Sequence, residues 1–168
     1  DEEMVKRIFL RERPDVVFHC AAYTAVDKAE EEKTECFNVN VNGTKNIAKW
    51  ANYVGAKVIY TSTDYVFDGQ GDKEYQESDE VKPVNYYGQT KYLGEEEVKK
   101  CDNYIIARIS WVFGINGKNF VKTMLDLSKT KDSVNVVSDQ VGSPTYTKDL
   151  ASALVDMAFI DIKGTYHI

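Results

Sequence analysis

The stretch Thr61-Ser62-Thr63-Asp64-Tyr65-Val66-Phe67, followed after a polar loop by Tyr86-Tyr87-Gly88-Gln89-Thr90-Lys91, decides how this chain is read. Its first part closes the apolar run Val58-Ile59-Tyr60 and sets hydroxyls where that strand stops. Its second part opens a helix-like segment with Tyr87 and Lys91 at i and i+4, so both project from one face. A positive charge beside a phenol favours the phenolate and lowers the phenol's pKa. In an open α/β sheet, ligands bind beyond the carboxyl ends of the strands. Together these features predict oxidation or reduction at a carbonyl or alcohol carbon. With eleven tyrosines in the chain, an isolated Tyr/Lys pair would ordinarily be a solvated helix face. The hydroxyl-bearing strand end upstream sets this pair apart.

Upstream of the stretch, residues 2 to 12 carry Met4, Val5, Ile8 and Phe9 at helical spacing. Pro14-Asp15 ends that helix, and Val16-Val17-Phe18-His19-Cys20 reads as a buried parallel strand. Ala21-Ala22-Tyr23-Thr24 follows, small enough to let a flat ligand approach the backbone or simply to pack a strand–helix turn. Asp27 to Lys33 is an acidic run expected to face solvent. A helix is predicted from Cys36 to Tyr53, and its asparagines, poor helix formers, point to side-chain bonds with neighbouring loops. Gly55 suits its end, and Lys57 to Thr61 is the next strand.

Downstream, Asp68 to Pro83 is a polar surface loop, Tyr87 to Lys100 a helix, and Tyr104 to Ile109 a strand leading into Ser110-Trp111-Val112-Phe113-Gly114. A helix runs to Leu127 with Phe120, Val121, Met124 and Leu127 on one face, and Val134 to Val137 is a short strand. Residues 147 to 160 form a last amphipathic helix, before a strand fragment at Thr165 to Ile168. Helices alternating with apolar strands predict an α/β fold, a doubly wound parallel sheet of Rossmann-like type covered on both faces. Parallel strands would gather Ala21–Thr24, Thr61–Asp64, Tyr87, Lys91 and Trp111 along one edge.

The 168 residues fit a single domain with a sizeable core, and 43% hydrophobic with 29% charged residues describes a soluble globular chain. A net charge of −6 without a basic cluster argues against nucleic-acid binding. No apolar run approaches the roughly 20 residues that span a bilayer, so no membrane partner is expected. The acidic Asp1-Glu2-Glu3 does not read as a signal peptide. Cys20, Cys36 and Cys101 form no Cys-x-x-Cys, which points to free thiols in a reducing cytoplasm rather than disulfides or zinc. His19 and His167 stand alone on apolar runs as core or near-core residues, and no metal ligand is assigned.

The chain resembles the extended short-chain dehydrogenase/reductases, and within them the reductases of dTDP-4-keto-6-deoxy sugars. The resemblance is carried in order by Cys20 to Glu30 (CAAYTAVDKAE), Ser62 to Gly69 (STDYVFDG), Tyr87 to Lys91 (YGQTK), Ser110 to Gly114 (SWVFG), Asn119 to Met124 (NFVKTM) and Asp139 to Thr145 (DQVGSPT). Tyr-x-x-x-Lys alone is a weak signal, whereas the six stretches in order are a strong one. The resemblance implies Tyr87 as the catalytic acid, Lys91 as its partner and ribose holder, and Thr63 as the hydroxyl on the substrate oxygen. It implies NADPH or NADH as cofactor, with Ala21, Ala22, Tyr23 and Thr61 lining it beside Tyr87 and Lys91. Thr63, Asp64 and Trp111 would meet a dTDP-sugar, and a homodimer is open to such a protein. Two other readings share parts of the pattern: a non-enzymatic regulatory subunit like that of methionine adenosyltransferase, and a nucleotide-sugar epimerase or dehydratase.

The family opens with a strand and a Gly-x-x-Gly-x-x-Gly turn that holds the cofactor pyrophosphate on a helix N-terminus. None of the ten glycines here makes that pattern. Residues 1–168 are therefore expected to be one Rossmann-like domain, incomplete at its N-terminal edge and without the C-terminal substrate-capping part. Such a segment alone would grip a dinucleotide weakly. The residue that selects NADH or NADPH belongs to the family's missing second strand, so both stay open.

Overall fold

A computed structural model of the chain describes residues 1–71 and 73–168. Helix α1 (Glu2–Glu12) starts where the Asp1 carboxylate accepts from the Met4 amide at 3.2 Å, with Glu2 and Glu3 complementing the helix dipole. It ends at Arg13, in the left-handed region just ahead of Pro14. Strand β1 (Val16–His19) follows, then a 3-10 turn at Asp27–Glu30. The predicted second helix begins earlier than Cys36: α2 (Lys33–Phe37) passes through a π-helical turn at Asn38–Gly43 into α3 (Thr44–Val54). Gly55, at φ 81°, closes α3 in the conformation glycine adopts without cost.

Strand β2 (Lys57–Thr63) leads to a 3-10 turn at Asp64–Val66, whose first free amide, Tyr65 N, is capped by the Thr63 hydroxyl at 3.2 Å. Helix α4 (Tyr86–Val98) starts at Asn85, whose side chain accepts from Gly88 N at 2.7 Å. Then come β3 (Tyr104–Ile109), β4 (Val112–Phe113), α5 (Phe120–Leu127), β5 (Thr145–Tyr146), α6 (Thr147–Phe159) and β6 (Gly164–His167). The main sheet is parallel in the order β1-β2-β3-β6, and β4 pairs with β5 in a separate two-stranded parallel sheet.

Side chains alternate across the two central strands, which explains the double cover. Val58, Tyr60 and Ile106 pack with Phe9, Ala48, Ala51 and Val98 beneath α1, α3 and α4. Ile59, Ile105 and Ala107 pack on the other face with Leu150 and Leu154 of α6. Because every strand runs the same way, β2 and β3 end on one rim, and the site lies there. Among the described residues no helix is long and apolar enough to cross a membrane.

Two expectations need correction, and the helix foreseen up to Leu127 forms with its apolar face uncovered. Val134 to Val137 is irregular rather than a strand; it pairs with nothing among the described residues, and Val134, Val136 and Val137 stand exposed. β1 is not fully buried, because it forms the outer strand of this sheet and leaves Phe18 44% exposed. The apolar face of α5 covers no core: Phe120, Val121 and Leu125 are exposed and the helix buries no residue.

Candidate active site

The site is built on one helix laid against one strand end. On α4, Tyr87 and Lys91 share a stripe that faces β2. Lys91, 2% exposed, donates from Nζ to the Thr61 carbonyl at 2.7 Å and lies 4.1 Å from the centroid of the Tyr60 ring. Gly88 permits this docking. A side chain at Gly88 would collide with the Tyr65 backbone, so the first turn of α4 sits directly on the segment leaving β2. The Tyr87 ring meets the Tyr65 ring edge-on at 5.7 Å.

Thr63 ends β2 with a buried side chain whose hydroxyl accepts from Tyr65 N and donates to Asp64 Oδ1 at 3.1 Å. Asp64 is held above the usual carboxylate range, chiefly by burial. Trp111 follows β3 with φ 45° and is 46% exposed, its indole lying so close to Gly142 that a side chain there would strike the ring. Ser110 Oγ donates to the Ser143 carbonyl at 2.6 Å, which fastens the Asp139–Thr145 stretch to the same rim.

A cavity of about 280 Å³ opens between these parts. Thr61, Thr63, Asp64, Tyr87, Lys91, Trp111 and Ala22 line it, all of them expected site residues. Ala21 and Tyr23 do not. Ala21 is exposed away from it, and the Tyr23 phenol donates instead to the Glu32 carboxylate on the outer side. Tyr23 contributes through its backbone, whose N–H donates to Asn40 Oδ1 at 2.8 Å. Asn40, 1% exposed on the π turn, also donates to the Thr90 hydroxyl at 3.0 Å and so ties the loop after β1 to α4. Thr24, gathered on this edge by the sequence, lines the cavity too, whereas sequence reasoning missed Cys20, Val26, Tyr65 and Ile109. Cys20 and Ile109 were legible as strand-end positions, and Tyr65 lay inside the deciding stretch.

The electrostatics reverse one expectation. Tyr87 is pushed up to about 12, not lowered, because burial penalises the phenolate and Asp64 adds repulsion, while the Thr63 hydroxyl offsets part of this. Lys91 is lowered to about 7, again chiefly by burial, with Glu95 opposing. Two groups taken out of water together both lean to their neutral forms, and the Lys91 ammonium is aimed at a carbonyl. His19 is lowered to about 4 by burial and by the Lys91 charge, with its Nε2 on the Thr44 hydroxyl at 2.9 Å. Among the described residues no group of three or more His, Cys, Asp and Glu could hold a metal. The cleft thus offers a protonated phenol, a lysine of adjustable charge, hydroxyls and an indole around one open space. That set suits proton delivery to an oxygen held at the Thr63 hydroxyl, next to a ribose-sized polar ligand.

Known proteins are similar in sequence and in shape. The RmlD substrate binding domain matches residues 1–168. The spore coat polysaccharide biosynthesis protein SpsK of Bacillus subtilis is 43% identical over the whole chain, which covers 59% of that protein. The dTDP-4-dehydrorhamnose reductase of Escherichia coli K12 is 43% identical over 93% of the chain and 54% of its own length. The crystal structure of dTDP-4-dehydrorhamnose reductase from Bacillus anthracis in complex with NADP superposes with a TM-score of 0.98 at 43% identity, over all of this chain and 60% of that one. The chain therefore spans between half and three fifths of the length of these relatives. With its full length matched and its fold reproduced, the chain belongs to the RmlD substrate binding domain family.

Proposed function

We propose that the chain is the catalytic part of an NAD(P)H-dependent reductase that converts the C4 keto group of dTDP-4-dehydro-L-rhamnose to the alcohol of dTDP-L-rhamnose. The observation that carries this reading is the convergence of Thr63, Tyr87 and Lys91 on one cavity at the ends of parallel strands. The relatives named dTDP-4-dehydrorhamnose reductase, one of them solved with NADP, support the substrate and the cofactor class.

In this reading NADPH or NADH, when bound, supplies the hydride that adds to C4. The residues of the chain do the rest. Thr63 holds the C4 oxygen by its hydroxyl. Tyr87, protonated throughout the neutral range, delivers its proton to the alkoxide forming there and regains one from solvent. Lys91, buried beside Thr61, and Ala22 line the cofactor side, while Asp64 and Trp111 border the sugar. The hydroxyls at the strand end fit a nicotinamide ribose, and Lys91 is the residue that would hold its hydroxyls. The three thiols, free of one another, fit work in the cytoplasm.

The test is direct. The protein of the relatives' full length, carrying this chain, is given dTDP-4-dehydro-L-rhamnose with NADPH or NADH. Reduced cofactor consumption is followed by absorbance and the product identified by mass and NMR. Stoichiometric dTDP-L-rhamnose is expected. Cofactor binding without turnover of this sugar, alongside turnover of another 4-keto nucleotide sugar, would overturn the substrate assignment.

A further inference from the structure

Behind the cavity lies an ion pair that the proposed reaction does not use. Glu95, fully buried on α4, accepts from Arg108 of β3 through both oxygens, Nε to Oε1 at 2.9 Å and Nη2 to Oε2 at 2.7 Å. Ser62 of β2 donates its hydroxyl to the same Oε1 at 2.6 Å. Ser62 and Arg108 are direct neighbours across β2 and β3, so one carboxylate ties both central strands to α4. Bidentate pairing of this kind fixes geometry in a way a single contact does not.

Its place in the sequence matters as much. Tyr87, Lys91 and Glu95 follow one another at intervals of four along one helical stripe. Lys91 grips β2 at the Thr61 carbonyl, Glu95 grips it at Ser62, and the next residue is Thr63. Gly94, beside Glu95, lets α4 come so close that an added Cβ would stand 2.5 Å from the Tyr60 hydroxyl and 2.8 Å from the Asn40 carbonyl. A buried pair is seldom the most stable filling of a core, and apolar residues of like volume often serve as well. Its place directly behind the site points to geometry rather than stability.

We infer that the Glu95–Arg108 pair is a positioning element: acting through Ser62, it locks the stripe of α4 that carries Tyr87 and Lys91 onto the end of β2 that carries Thr63. The pair touches neither substrate nor cofactor. It also sets the surroundings of Lys91, for Glu95 is the strongest influence favouring the charged lysine against burial. The other titratable groups around Lys91 are Tyr60 on β2, Tyr87 one turn back on α4, Cys20 just after β1, Cys36 on α2 and His19 on β1.

The inference rests on the proposed reductase reading, and its test separates the two. In the full-length protein, Glu95→Leu with Arg108→Met removes both charges while keeping apolar volume. Such a swap keeps the fold, so the melting transition stays cooperative. The turnover number falls about 10- to 100-fold with the sugar KM little changed, the size expected when reacting groups are slightly misplaced. The Lys91 titration, followed by the NMR shift of its ε-carbon without substrate, moves to lower pH. Turnover within twofold of the parent together with an unmoved Lys91 titration would overturn the inference and leave the pair a packing element. If the double variant does not fold, Arg108→Lys decides: it keeps the charge and removes the two-point grip on Glu95 without touching the cavity lining. A drop in turnover at preserved melting temperature supports positioning, and no drop refutes it. Should the parent reduce no dTDP-sugar, the reductase reading fails, while a crystal structure of the double variant still judges the pair by whether Lys91 keeps its bond to the Thr61 carbonyl.

Discussion

Replacing Gly88 by alanine probes the contact on which the site depends. A Cβ at Gly88 would lie 2.9 Å from the Tyr65 carbonyl carbon and nearer still to its oxygen, inside the 3.0 Å that real Cβ atoms essentially always keep. Both obstacles are backbone, so no rotamer change relieves them. The first turn of α4 must therefore lift from the strand-end segment, by on the order of 1 Å, a displacement that can cost about 100-fold in rate when it moves a reacting group. Tyr87 is on that turn. Stability responds to two opposed effects: overpacking costs about 1–3 kcal/mol, and removing a helical glycine returns about 0.5–1 kcal/mol. The rigid obstacle puts the first near its upper end, so a net loss of about 2 kcal/mol is expected. Steady-state kinetics and thermal melting of the full-length variant give both numbers. A turnover number within a factor of three of the parent, with an unchanged or raised melting temperature, would refute the close docking of α4 and the placement of Tyr87 derived from it.

Tyr87→Phe deletes one hydroxyl and is expected to lower turnover by about 10²- to 10⁴-fold without loss of fold; near-normal turnover in steady-state assays would remove Tyr87 as the acid. Trp111→Ala raises the sugar KM with little change in melting temperature, since the indole is 46% exposed at the cavity; a large stability loss with unchanged KM would make it a core residue. Lys91→Met abolishes efficient turnover yet melts higher than the parent near neutral pH, because the buried ammonium is the costly group. The folded lysine is lowered to about 7 and the unfolded one keeps its ordinary value, so the unfolded chain binds more protons between them and the parent gains stability as pH rises through that window. The advantage of the variant is thus greatest below about pH 7 and shrinks towards about 10, as melting curves across pH would report.

The alternation of helix and strand was legible because its signals are local: apolar period, Pro14 as a stop, Gly55 as an end. The rim at the strand ends was legible too, since a parallel sheet puts all such ends together. What escaped depends on partners distant in sequence. The π turn at Asn38–Gly43 accompanies a network joining Asn40 to Tyr23 and Thr90, and no local period announces it. Strands β4 and β5 are two residues each and find one another across a gap of some thirty residues. Val134 to Val137 had strand composition but no partner to pair with. Glu95 and Arg108 carry no local sign of burial, and only the packing of α4 on β2 and β3 reveals them, with Lys91, as buried. The same blindness produced the wrong sign for Tyr87. A Tyr/Lys pair on a helix says that two groups are near; whether charge or desolvation dominates depends on how much water the fold removes.

That sign bears on the direction of the chemistry. To oxidise an alcohol, the phenolate must take the proton, whereas to reduce a ketone the neutral phenol must give one. With Tyr87 pushed up to about 12, the phenolate is present near neutral pH in only about one molecule in 10⁵, a cost of roughly 7 kcal/mol at 1.36 kcal/mol per unit, before any ligand is bound. The neutral phenol carries no such cost. A lysine lowered to about 7 responds in the same range: it can take up charge when a polar ligand enters and need not hold it in the empty cleft. Burial, the influence that upset the expectation of an activated phenolate, therefore leaves an acid that is already loaded. Under the proposed reductase reading, the cleft rests with its proton donor in the form that donates.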